Sequence, residues 1–130
     1  MGLFSHSKQK DKIIKYLKNE NISYDVKNDK IVIELMFKDK GFSLSPYFIV
    51  DDEEDDFSMV INIKKIDKVN TDIYEKINSF NMSSKYFSMK ISKENIIYIE
   101  YNTNIDDNVV KVFELLVASL YELSDIISNI

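Results

Sequence analysis

The chain has no cysteine and no arginine, one proline, two glycines and one histidine among its 130 residues. Each shortage closes off a class of function. Without cysteine there is no disulfide, no thiolate nucleophile and no sulfur-ligated metal, which fits a reducing, cytoplasmic setting. All 17 basic residues are lysine. Lysine lacks the planar fork with which arginine grips phosphate or guanine at two points. Combined with a formal net charge of −5, this argues against nucleic acid as a partner. Gly2 and Gly41 are the only glycines, so no glycine-rich phosphate loop exists. His6 is the sole imidazole, and it stands in a terminal stretch, residues 1–7, that is expected to fray, where a general base has no pocket. No G-x-S-x-G elbow is present.

Long apolar runs are missing too. No stretch approaches the 18 consecutive apolar residues of a membrane-spanning helix, so membrane insertion is not expected. The opening MGLFSHSK has no signal-peptide core, and His6 stands where the myristoylation pattern asks for Ser or Thr. These gaps point to a non-catalytic binding module with no cofactor and no metal. The wealth of Lys, Ile and Asn matches an AT-rich bacterial or phage genome.

What is present is a globular composition, 45% hydrophobic and 30% charged, enough for one domain spanning residues 1–130. Lys8 to Asn19 reads as a short helix with the stripe Ile13, Ile14, Tyr16 and Leu17, its other faces covered by five lysines that read as solvated. Ile22 to Val26 alternates as a strand, Lys27 to Lys30 is a polar turn, and Ile31 to Phe37 alternates again. Gly41 supplies a turn that calls for positive φ, and Pro46 opens a strand at Tyr47 to Val50. Phe57 to Ile66 is the next strand, with Phe57, Met59, Ile61 and Ile63 expected to face inward.

Between these strands lies an acidic run of Asp51, Asp52, Glu53, Glu54, Asp55 and Asp56. A calcium loop needs alternating ligands, a glycine and a distal glutamate, and this run has neither glycine nor spacing. It reads as a solvated hairpin tip, or as a docking site for a basic partner.

The period then changes. Ile73, Tyr74, Ile77 and Phe80 mark a helix opened by Asn70, Thr71 or Asp72. A closing hairpin follows, with Phe87, Met89 and Ile91, then Ile97, Ile99 and Tyr101, turned toward the core. Thr103, Asn104, Asp106 and Asp107 precede a long helix, expected over residues 107–129, with apolar residues at Val109, Phe113, Leu116, Leu120, Leu123 and Ile127. Val110, Val112, Val117 and Tyr121 add a second flank, and Ala118 and Ser119 allow close approach. That flank is buried either by the first helices or by a second copy of the chain, so Val110, Val117 and Tyr121, with the acidic run, are the candidate partner or homodimer surface.

The expected class is α+β, an antiparallel sheet with helices packed on it, in the order α-β-β-β-β-α-β-β-α. This order, with Ile77-Asn78-Ser79-Phe80-Asn81, Lys85-Tyr86-Phe87-Ser88-Met89, Ile97-Tyr98-Ile99-Glu100-Tyr101 and the terminal helix, resembles the YbjN-like family and the type III secretion chaperones that share its fold. In that family a helix ends in an asparagine-containing turn, followed by a short hairpin and a last helix. The resemblance implies a small acidic chaperone, often dimeric, that holds a client or regulatory partner, and it carries no catalytic residue. An acidic inhibitor or immunity protein that blocks a basic surface is the alternative, since residues 103–130 hold one lysine against five acids.

Overall fold

The computed structural model describes residues 8–51, 53, 56–104 and 108–130. Chain order is α1 (Lys8–Asn19), β1 (Tyr24–Lys27), β2 (Lys30–Ile33), β3 (Leu35–Phe37), β4 (Phe42–Leu44), β5 (Tyr47–Asp51) and β6 (Asp56–Lys65). It continues with α2 (Thr71–Ser83), β7 (Ser88–Ile91), β8 (Ile96–Asn104), α3 (Val109–Glu122) and α4 (Ser124–Ser128). Six strands form one antiparallel sheet in the order β1-β2-β5-β6-β8-β7, and β3 and β4 form a separate ribbon.

The sequence of helix, strands, helix, two strands and terminal helix holds, with finer divisions inside it. The strand expected over Ile31 to Phe37 is two strands. Ile33 donates its N–H to the Pro46 carbonyl at 3.1 Å. Pro46 has no N–H to return, so the β2–β5 ladder stops there. The chain then leaves the sheet, and β3 pairs with β4 instead, Phe37 opposite Phe42. Gly41 closes that ribbon at φ 75°, as the turn requires.

The last helix is also divided. Ser124 donates its hydroxyl to the Tyr121 carbonyl at 2.7 Å, occupying the acceptor that a continuing helix would use. Leu123 adopts φ −90° and ψ 1°, and α4 starts afresh. Leu123 and Ile127 stay buried across the break. Asp106 and Asp107, expected at the start of this helix, lie outside the described residues. Its cap is Asn108, whose Oδ1 accepts from the Lys111 N–H at 3.2 Å. For α2 the cap is Asn70, which accepts from the Ile73 N–H at 2.9 Å.

One face of the large sheet makes the core. Ile31, Phe48, Phe57, Met59, Ile61, Met89, Ile97 and Ile99 turn toward the helices and are buried. The helices answer with Ile13, Leu17, Phe80, Val109, Phe113, Leu116 and Leu120. A chain of rings fixes the layers: Tyr16 meets Phe113 edge-on at 5.6 Å, and Phe113 meets Phe48 edge-on at 5.0 Å. Such pairs add about 0.5–1.5 kcal/mol each beyond their burial.

Two expectations about facing are corrected. Tyr74 is 61% exposed, because Ile73, Ile77 and Phe80 already define the inward stripe of α2 and Tyr74 lies off it. Ile63 is only half-buried, since the ladder to β8 shifts register between Asn62 and Lys64. A β-bulge of this kind inserts one residue and reverses the alternation, which is how Ile66 comes to be buried.

Candidate functional site

With the helices and the β3–β4 ribbon on one side, the other face of the six-stranded sheet is uncovered among the described residues. Strand register fixes its membership, because residues directly opposite each other share a face. Val32 lies opposite Tyr47, Tyr47 opposite Val60, Val60 opposite Glu100, and Glu100 opposite Ser88. A second row runs Lys30, Ile49, Ser58 and Asn102, and a third runs Asn62, Tyr98 and Lys90. Val32, Tyr47, Val60 and Tyr98 are half-buried by their neighbours on this face, and Ile49 is 37% exposed.

The middle of the face is thus apolar, and its rim is polar and tied to itself. Lys30 Nζ stands 4.6 Å from the centre of the Tyr47 ring. Ser58 donates to Asn102 Oδ1 at 2.6 Å, and Lys90 pairs with Glu100. The Glu100 carboxylate holds the Lys90 ammonium above its ordinary pKa, through their hydrogen bond first and their charge second.

The acidic run meets this face at one corner. Asp51 ends β5 and lies opposite Asp56 at the start of β6, so the two carboxylates share the uncovered side. Glu53 donates its N–H to Asp51 Oδ1 at 3.1 Å, a local turn bond. Asp52, Glu54 and Asp55 lie outside the described residues. No group of three or more potential metal ligands occurs among the described residues.

The other candidate residues are placed elsewhere. Val110 and Val117 are half-buried against the core on the far side of the molecule. Tyr121 serves the chain itself. Its ring packs 5.9 Å from Phe37 and its hydroxyl donates to Asp39 Oδ2 at 3.1 Å. One helical turn on, Lys40 donates to Asp125 Oδ1 at 2.8 Å. Together these contacts dock the β3–β4 ribbon on α3 and α4. The hydrogen bond to Asp39 raises the Tyr121 phenol, and the one to Asp125 raises the Lys40 ammonium. Ala118 and Ser119 line an open groove of about 300 Å³ between α3 and the α2–β7 connection, beside Leu115 and Tyr86.

The apolar set on the open face escaped the strand-by-strand reading, although a signal for it exists. Ile31-Val32-Ile33, Tyr47-Phe48-Ile49-Val50, Met59-Val60-Ile61 and Ile97-Tyr98-Ile99 are unbroken apolar runs. A strand with one solvated face alternates, and an unbroken run is the mark of two apolar faces.

No helix among the described residues is long and apolar enough to cross a membrane. No protein-family model and no curated protein sequence matches the chain. Solved structures do. YbjN, a candidate transcription regulator from E. coli, superposes with a TM-score of 0.64 at 10% identity, over 90% of this chain and 87% of that one. A chain of the ExsC–ExsE complex superposes with a TM-score of 0.55 at 12% identity, over 83% and 81%. At such identities the likeness is one of architecture: this chain shares the α+β fold of YbjN and of a chain of the ExsC–ExsE complex.

Proposed function

We propose that this chain is a non-catalytic protein-binding module of chaperone type, which lays an extended segment of a partner protein across the open face of its sheet. The observation that carries the reading is the uncovered apolar centre formed by Val32, Tyr47, Ile49, Val60 and Tyr98. A six-stranded sheet with helices on one side only leaves such a centre in water, and burying apolar area there is worth about 25 cal/mol per Å². The polar rim supplies side-chain donors and acceptors that orient a bound chain without closing the face. Asp51, Glu53 and Asp56 at one corner favour a segment with a basic end. The likeness to a chain of a two-protein complex supports the same class of partner. A cytoplasmic site of action is in keeping with the cysteine-free composition.

The test is selection of linear segments from a random peptide library on the purified chain, followed by binding to Val60→Glu. Val60 sits at the centre of the face and packs on nothing in the core, so the variant is expected to keep its circular dichroism spectrum. A loss of affinity of at least tenfold is expected, because the new charge is buried under the bound segment. Unchanged binding to the Val60→Glu chain would remove the open face from the function.

A further inference from the structure

Charge is laid out along the open face with a direction. At one end Asp51 and Asp56 are exposed and lie opposite each other. β6 starts at that corner and runs ten residues to Lys65. At about 3.3 Å per residue it spans about 30 Å. Lys65 lies opposite Ile96, and Ile96 precedes buried Ile97, so both face the open side in spite of the bulge before them. Ile66 donates its N–H to the Asn95 carbonyl at 2.9 Å, which brings the β7–β8 turn, and Lys93 with it, to the same end. Lys65, Lys68 and Lys93 are exposed there beside two acids, Asp67 and Glu94. Among the described residues, none of these three lysines forms an ion pair. Lys90, nearer the centre, is already answered by Glu100.

The two directions across this face therefore differ electrically. The central row holds Val32, Tyr47 and Val60, with Asp25 on the β1 side and Glu100 on the β8 side. A segment laid across the strands meets an acid at both ends, and its charge gives it no preferred orientation. One laid along β6 meets carboxylates at one end and unpaired ammonium groups at the other. The poles are about 30 Å apart by strand rise, well beyond the Debye length of about 8 Å at physiological ionic strength. Each pole therefore acts only on the end of the segment that lies over it.

We propose that the partner segment lies along β6, its basic end over Asp51 and Asp56 and an acidic end over Lys65 and Lys93. This rests on the reading of the open face as the binding site and adds the direction and chemistry of the partner. Between the poles every second residue of the segment faces the sheet and meets Ile49, Tyr47, Val60 and Tyr98. The class of partner is an extended stretch of about ten residues, the length that spans the poles. It is basic at one end, alternately apolar in the middle and acidic at the other end.

The probes are synthetic peptides of one length with the same alternating Val-Ser centre. The mixed peptide carries paired lysines at one end and paired glutamates at the other; the controls carry lysines at both ends or glutamates at both. At low salt the parent chain is expected to bind the mixed peptide about fivefold more tightly than either control, and added salt should shrink the difference. Lys65→Glu/Lys93→Glu turns the basic pole acidic, and this chain is expected to prefer the lysine-ended control by a similar factor. A misfolded chain does not give such a gain. A nitroxide on the basic end of the mixed peptide should broaden the amide signals of Val50 and Phe57, and one on the acidic end those of Ile66 and Ile96. A mixed peptide that binds no better than the controls, while library-selected segments still lose affinity with Val60→Glu, overturns the polarity and leaves the open face as the site. Binding of the mixed peptide that survives Val60→Glu overturns the polarity and the open face together.

Discussion

Asn81 holds the backbone of Met89 at both of its polar groups. The Met89 N–H donates to Asn81 Oδ1 at 2.7 Å, and Asn81 Nδ2 donates to the Met89 carbonyl at 3.2 Å. A side-chain amide here does what a further strand would do for an edge, and it ties the end of α2 to β7. Asn81→Ala is expected to cost about 1–3 kcal/mol, the range for leaving buried backbone groups unpaired. Asn81→Asp keeps the acceptor and loses the donor, so it should fall between. Asn78→Ala, on the exposed side of the same helix, should change stability little. Urea unfolding of the three variants measures the order.

Leu120 is fully buried in α3, whereas Leu115, on a different face of the same helix, is 45% exposed. Truncating Leu120 to alanine leaves a cavity beneath the helix and should cost about 2–5 kcal/mol. Leu115→Ala should cost well under half as much. Equal losses in chemical denaturation would show that the inward face of α3 is wrongly assigned.

The docked β3–β4 ribbon should loosen at alkaline pH. Both Lys40 and Tyr121 are raised from ordinary values of 10.5 and 10.0, so their proton-bound forms are favoured in the fold. Their contribution is therefore complete below those ordinary values and is lost as pH rises through the raised ones. Amide exchange over Leu35 to Leu44, corrected for its intrinsic pH dependence, should accelerate above pH 10 before the six-stranded sheet does. Tyr121→Phe removes the bond to Asp39 and should give the faster exchange already at neutral pH.

Asp51 and Asp56 face each other as a like-charge pair at the open corner. The double variant Asp51→Asn/Asp56→Asn should raise the thermal midpoint slightly. The gain should shrink as salt screens the parent's repulsion, with a Debye length of about 8 Å at physiological ionic strength. A midpoint that falls by several degrees, or one that depends on calcium in the parent, would show that the carboxylates hold a cation.

Much of the inner half of this molecule could be read from spacing. Val109, Phe113, Leu116, Leu120, Leu123 and Ile127 recur at helical intervals, and all six are buried. Phe87 and Met89 with Ile97 and Ile99 alternate, and they too are buried. What periodicity misses is decided by single atoms or by third dimensions. The missing N–H of Pro46 frees β3 from the sheet, and the hydroxyl of Ser124 divides the last helix, while neither disturbs the apolar pattern. Tyr74 fits a helical repeat as well as its neighbours do, and only packing against the sheet excludes it. Tyr121 reads from spacing as part of a flank covered by the first helices or by a second copy, and its contact with the ribbon escapes that reading because Asp39 is about eighty residues away in sequence. The open face was visible as unbroken apolar runs, but its members are assembled from β2, β5, β6 and β8, and no single strand displays them together.

The central claim is that a partner segment lies on the open face of the sheet. Backbone amide shifts of the labelled chain, recorded while a library-selected segment is added, test it most directly. The account predicts that the largest changes trace Val32, Tyr47, Ile49, Val60 and Tyr98 across four strands, with α2, α3 and α4 little affected. Changes confined to the helices, or to the groove beside Leu115 and Tyr86, would contradict it.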